Sequence, residues 1–215
     1  MLLEHWIYSI AIAIIIGAIY HKYTGKDHSW IIIASAFAPD IDLFMDYIFS
    51  NWGITLLING NPIQHGNFHN LAIIFFFAFV TALLLQTIGL RFRESFLFAN
   101  IGFMAHMFVD ALVFNPAYAF FWPLSAEKFG IGLFEYNPTL YGIADPGILI
   151  IGLIMVITLA IIRVRYEGNE WITYMVIPTP LLSYCVNVCE KTHEWMEGWG
   201  QTSEIVPKQD ESNLI

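Results

Sequence analysis

The sequence predicts an all-α fold: a polytopic transmembrane helical bundle of about five to six spans, with a proline-broken second segment. Three observations predict it. The 215 residues are 57% hydrophobic and only 13% charged, against about 25% charged residues in soluble domains. Mean hydropathy is +0.61. Six apolar segments can be drawn between short polar loops, and spans need about 17–25 such residues.

The first segment, 6–20, ends at His21-Lys22. It lacks the basic start and small-residue cleavage site of a signal peptide, so it is expected to be a retained span. The second, 30–49, carries Pro39 and Asp residues at its centre. The third, 70–90, ends at Arg91, and the fourth, 95–114, is the most continuous. The fifth, 147–162, ends at Arg163, and the sixth, 171–188, contains Pro178 and Pro180. The first and fifth are short for spans. No linker or repeat divides 1–190, which reads as one membrane domain. From Glu190 onward there are six acids and two lysines; 191–215 reads as a polar acidic tail, and its last stretch, GQTSEIVPKQDESNLI, as disordered. The net charge of −9 offers no basic surface for nucleic acid.

Basic residues set an expected orientation. Lys22, Lys26, Arg91, Arg93, Arg163 and Arg165 follow segments one, three and five; Lys128, Lys191 and Lys208 fall on the other side of a six-span chain. The richer side is expected to be cytoplasmic, with both termini outside. His5, His65, His69, His106, Asp110, Asp40 and Asp42 then gather toward the outer face. His21 and His28 fall on the inner side.

Those polar residues carry the chemistry. His106 and Asp110 lie within the apolar run SFLFANIGFMAHMFVDALVF. An ionisable group in hydrocarbon costs roughly 2.5–3.5 kcal/mol by insertion scales and persists where it pairs, binds an ion or meets water. On a helix, the i, i+4 spacing puts both on one face, where an imidazole and a carboxylate can share a divalent ion. After Pro39, a locally extended chain would point Asp40 and Asp42 the same way. His65 and His69 are spaced as a two-imidazole platform, although Gly66 argues against a regular helix between them. His193-Glu194-Trp195-Met196-Glu197 lacks the second His of a zincin motif and is set aside. Cys185 and Cys189, spaced C-x3-C, read as two buried thiols sharing one side. The aromatic stretch 115–141 reads as an interfacial belt, or as a loop over the mouth of the site.

Taken in order, PDID, HGNFHN, AHMFVD and FFWPLS resemble the YdjM family of inner-membrane proteins, over roughly residues 5–125. That family is regarded as metal-dependent hydrolases and is in one case described as LexA-binding. Its pattern is an N-terminal His, P-D-I-D, H-R-G-x-x-H-S/N, S/G-x-H-x3-D and a W-P-hydrophobic-S element. The resemblance implies that His5, Asp40, Asp42, His69, His106 and Asp110 are its polar positions. In gap-free register Gln64 stands where the family has its first His, and His65 where it has Arg; either His65 slides into the ligand role or the site has one ligand fewer than the family.

The expected function is therefore a membrane-embedded metal-dependent hydrolase. Its metal set is His5, Asp40, Asp42, His65, His69, His106 and Asp110, and Zn²⁺ is the expected ion for imidazole plus carboxylate. Asp40 or Asp42 is expected as general base, and membrane lipid as the surroundings. A phosphoester or lipid-like molecule at the interface is the expected substrate, by analogy with zinc phospholipases that share His-x3-Asp. The rival classes are a metal or proton transporter, which would favour midplane sites and repeats, and a non-catalytic membrane regulatory protein.

Overall fold

The computed structural model describes residues 2–55, 57–58, 61–133, 146–176 and 179–202. Among them run α1 (Leu2–Thr24), α2 (Ser29–Ser35), α3 (Ile41–Asn51), α4 (Leu71–Thr87), α5 (Phe92–Val113), α6 (Pro146–Glu167), α7 (Glu170–Val176) and α8 (Thr179–Thr202). A short antiparallel pairing joins β1 (Leu57–Ile58) to β2 (Asn61–Pro62). The chain divides into two compact units, Met1–Pro178 and Thr179–Ile215.

Three described helices are long and apolar enough to cross a membrane: Leu3–Thr24 of α1, α5 and α6. The apolar α4 is shorter, at 17 residues. The first and fifth segments are longer than their apolar runs, at 23 and 22 residues. No Gly or Pro breaks the helix where Glu4, His5, Lys22, Arg163 and Arg165 enter, so the helix carries on through these polar ends. The second segment is two helices, α2 and α3, neither long enough to span. The sixth is also two, α7 and α8, and Pro178 lies outside the described residues.

Two expectations fail in α8. The expected disordered tail begins as helix, because α8 continues to Thr202. Once nucleated, a helix propagates cheaply through good formers such as Glu190, Lys191, Glu194 and Met196. The rest of the tail, 203–215, lies outside the described residues. Cys185 and Cys189 are exposed rather than buried. A single helix has no interior, and α8 is the whole described part of its unit.

The first unit is built around α5, which packs on α4, α2 and α1, while α1 also carries α6. Phe98 and Phe103 of α5 and Ile31 and Ile32 of α2 are fully buried. Gly102 lets α5 approach α2 closely: a Cβ there would collide with the Ile32 carbonyl oxygen. On the outside, α4 presents Phe75, Phe76 and Leu84, and α6 presents Ile150, Ile154 and Ile157. Such faces suit hydrocarbon rather than water.

Polar residues collect at both ends of this apolar core. At one end Glu94 receives Lys26 Nζ at 3.1 Å and His28 Nε2 at 3.0 Å, with Arg91 at 3.7 Å. Beside it, Arg163 Nη2 meets Asp27 Oδ2 at 2.6 Å and its Nε meets Glu167 at 2.9 Å. His21 joins there through Glu167, at 3.5 Å. Basic residues from the loops after the first, third and fifth segments thus meet at one end. His5 lies four turns before His21 on α1, about 24 Å away at 1.5 Å per residue. That is close to the thickness of a hydrocarbon layer, about 30 Å.

The Gly102 contact generates a stability prediction. Gly102→Leu forces α5 off α2 and is expected to destabilise the protein by about 1–3 kcal/mol, the usual cost of overpacking. Thermal unfolding in detergent should show a clear fall in midpoint, whereas Ile154→Leu on the outer face should leave it within a degree or two of the parent.

Candidate metal centre

The opposite end of the core holds the second polar cluster. Four local structures bring it together. The first turns of α1 carry His5, and the last turns of α5 carry His106 and Asp110. The N-cap and first turn of α3 carry Asp40 and Asp42. The segment before α4 carries His65 and His69.

The proline break does not extend the chain as expected. Asp40 has helical angles, φ −77° and ψ 0°, within overlapping turns in which Asp40 N–H donates to Phe37 O and Ile41 N–H to Ala38 O. Proline forbids a continuous ladder, but the open turns and the following helix satisfy the backbone locally. Asp40 and Asp42 therefore flank the entry to α3 instead of sharing a strand face. They still reach the same neighbours, because His69 lies between them.

The segment from Gln64 to Asn70 is a series of turns, as Gly66 foretold. Gly66 has φ +96°, and a Cβ there would stand 2.5 Å from the Tyr118 ring. Asn67 Oδ1 accepts from Gln64 N–H at 2.5 Å. Asn70 caps α4, its Oδ1 accepting from Ile73 N–H at 3.1 Å, which fixes His69 at the mouth of the helix. Gln64 and His65 are both exposed, but His65 reaches the carboxylates, with Nδ1 3.2 Å from Asp42 Oδ1 and 3.9 Å from Asp40 Oδ1. In this chain it is His65, and not Gln64, that meets the carboxylates.

Asp110 is the hub. His69 Nε2 approaches its Oδ2 at 3.1 Å and His106 Nε2 approaches the same oxygen at 3.4 Å. His5 Nε2 lies 3.3 Å from the other oxygen. Asp40 Oδ1 stands 3.6 Å from His106 Nε2 and 3.7 Å from His69 Nε2. The His5 and His106 rings stack, centroids 3.7 Å apart. His5, Asp42, His69, His106 and Asp110 are all buried. All seven residues singled out in the sequence thus lie in one cluster.

The donor atoms approach one another without satisfying one another. Both ring nitrogens of His69, Nε2 of His106 and Oδ2 of Asp110 are buried and make no hydrogen bond. Native structures leave few such atoms unpaired. They fall into three overlapping groups: His5, His106 and Asp110; Asp40, His69 and His106; Asp42, His65 and His69. Within each group one ligand atom per residue lies within 4.8 Å of the others. Imidazole and carboxylate in this arrangement are a donor set for a divalent ion.

Surrounding groups hold the set in place. His106 Nδ1 lies 2.7 Å from Ala36 O, so Nδ1–H donates to that carbonyl and fixes the ring with Nε2 turned toward Asp40 and Asp110. Asp42 Oδ2 accepts from Gly66 N–H at 2.8 Å and Phe68 N–H at 3.3 Å. Asp42 thus faces His65 and His69 on one side and two backbone N–H groups on the other. Burial opposes charge on His69, yet the Asp110 and Asp42 carboxylates more than offset it and raise its pKa to about 9.

Tyr118 is the residue that the sequence did not single out. Its hydroxyl lies 3.0 Å from His65 Nε2 and its ring packs on His69 at 4.3 Å between centroids. Burial, then the Asp110, Asp40 and Asp42 charges, push its phenol up. In the sequence it is one aromatic residue among many, with no spacing to mark it. Trp122 to Ser125 contribute nothing to the cavity over the cluster, which takes Tyr118 from this stretch and Phe114 from the end of α5. Residues 134–141 of the aromatic stretch lie outside the described residues. His193 is exposed on α8.

The sequence profile of the YdjM inner membrane protein family matches residues 1–191. No curated protein and no solved structure matches the chain.

The charge on His69 generates a pH prediction for the metal-free protein. Its folded pKa, about 9, lies above the ordinary value of 6.5. Its contribution to stability is therefore complete below pH 6.5 and is lost as pH rises through about 9. Thermal midpoints of protein purified with chelator should fall between pH 6.5 and 9.5, and His69→Gln should remove most of that dependence. A pH-independent midpoint over this range would mean that His69 is neutral throughout.

Proposed function

The chain belongs to the YdjM inner membrane protein family, and from that premise we propose that it is a membrane-embedded metal-dependent hydrolase acting on a phosphoester at the membrane interface. The observation that carries this reading is the convergence of buried His69, His106 and Asp110, whose facing atoms lie 3.1 and 3.4 Å apart yet make no hydrogen bond. A divalent ion among them would replace these long contacts with coordination bonds.

His5, His69, His106 and Asp110 would hold the ion, with Asp40 and His65 at its open side; the mix of imidazole and carboxylate favours zinc. Such an ion, when bound, supplies Lewis acidity that acidifies water and polarises a phosphoryl group. The chain's own residues do the rest. Asp40 lines the cavity and is placed to accept a proton from water. Asp42 is fully buried, beneath His65 and His69, and acts by orienting those rings rather than as a base. Tyr118, protonated and bonded to His65, steadies the ring nearest the opening.

The same reading assigns topology. Six of the nine basic side chains, Lys22, Lys26, Arg91, Arg93, Arg163 and Arg165, lie in the helix ends and loops around the Glu94 and Asp27 cluster. The positive-inside tendency makes that end cytoplasmic and the His/Asp end outward-facing in a multi-pass chain. On this reading α4 crosses with α1, α5 and α6, while α2 and α3 form a broken second passage.

Two measurements test these proposals. Purified protein should retain divalent metal, and His106→Ala should lower its content at least tenfold, since one ligand is lost and Asp110 loses a neighbour. His193→Ala should not change it. Metal-loaded protein should hydrolyse phosphoesters and lose at least a hundredfold in rate on Asp40→Asn. Equal metal loss in both His variants would place the ion on α8 instead. For topology, a reporter inserted between Arg91 and Arg93 should read as cytoplasmic and one inserted after Tyr118 as external; finding both on one side would overturn the assignment.

A further inference from the structure

Above the His/Asp cluster lies a cavity of about 1040 Å³, at the upper end of what small-molecule sites need. Its floor is polar, formed by His5, Asp40, His65 and Asp110. Its walls are apolar: Leu3 and Trp6 come from the first turns of α1, and Leu43, Phe44 and Tyr47 from α3. A site for a small soluble phosphoester would have no use for such walls. Water-soluble head groups gain nothing from apolar surface, which instead stabilises hydrocarbon by roughly 0.8 kcal/mol per buried methylene.

The wall helix is itself unusual. α3 packs only sparsely on the other described helices and is fastened at its first turn, where Asp42 is buried among His65, Gly66 and Phe68. Beyond that turn its apolar side chains point away from the core: Phe44 is 68% and Tyr47 70% exposed. A helix of 11 residues with one buried carboxylate and an apolar outer face suits the boundary of a bilayer. It leaves the cavity flanked by side chains that lipid can reach directly.

We infer that this cavity takes the hydrocarbon chain of a membrane amphiphile whose phosphate ester rests on the His/Asp floor, and that the chain enters sideways from the bilayer past α3. The inference rests on the hydrolase reading for the head group alone; the chain pocket follows from the walls. Phe44 and Leu43 are then chain-selecting residues. Trp6, set edge-on to Phe37 at 4.7 Å between centroids, bounds the pocket on the α1 side.

The test uses the full chain in zinc-loaded nanodiscs and alkyl phosphonates of four, eight and twelve carbons, which mimic the ester without being cleaved. Calorimetric titration, corrected against empty nanodiscs, gives a dissociation constant for each. Affinity should rise by up to about fourfold per methylene, the equivalent of full burial, and saturate at one ligand per chain. Leu43→Asn and Phe44→Asn should flatten this dependence while leaving metal content unchanged. Equal affinity for the four- and twelve-carbon probes, or an unaltered slope in both variants, would overturn the inference. The two readings fail separately. Chain-dependent binding with no hydrolysis of any phosphoester keeps the pocket and removes the hydrolase. Hydrolysis that is as fast on short soluble esters as on long-chain ones keeps the hydrolase and removes the pocket.

Discussion

A carboxylate inside an apolar helix has to be met from outside that helix, and the arrangement of the first unit follows from how Asp110 is met. Burial alone would drive it toward the neutral form or force the helix out of hydrocarbon. Instead imidazoles from three separate places reach it: His5 from α1, His69 from the cap of α4, and His106 from its own helix one turn earlier. Each of these contacts fixes a different neighbour. The start of α1 is held against the end of α5, and the turn before α4 is held beneath Tyr118. The segment between α2 and α3 is held through Asp40 and the Ala36 carbonyl. Packing of Phe98, Phe103, Ile31 and Ile32 fills the space below, but the polar end sets where the helices stop.

The molecule is polar at both ends and apolar between, and the ends differ in kind. At the Glu94 and Arg163 end, cations and anions pair directly, with separations down to 2.6 Å, and the pairs complete one another. At the Asp110 end, imidazoles outnumber carboxylates, and several buried atoms face one another without a hydrogen bond. A cavity with apolar walls opens above these polar groups.

Much of this was legible in the sequence where a single physical rule dominated. The i, i+4 pair His106 and Asp110 required only helical geometry. Pro39 announced a break, and Gly66 a turn. The rules failed where neighbours in space decide. Asp40 and Asp42 were expected on an extended strand, but the turns before α3 satisfy the backbone better, and the two residues meet His69 from either side. Short apolar runs understated α1 and α6, because polar end residues remain helical when a second cluster receives them. Cys185 and Cys189 were expected to be buried, as cysteine usually is, but no interior forms around α8. Tyr118 was invisible: its role comes from a loop folding back over Gly66, and no local pattern encodes that.

Under the proposed function, buried imidazole and carboxylate, rather than thiolate, would form the coordination shell of a divalent ion. X-ray absorption at the zinc edge on metal-loaded, detergent-purified protein tests it most directly. The account predicts a shell of nitrogen and oxygen only, at about 2.0–2.2 Å, with the outer scattering of at least two imidazole rings. A sulfur contribution near 2.3 Å would place the metal on Cys185 and Cys189, and would contradict it.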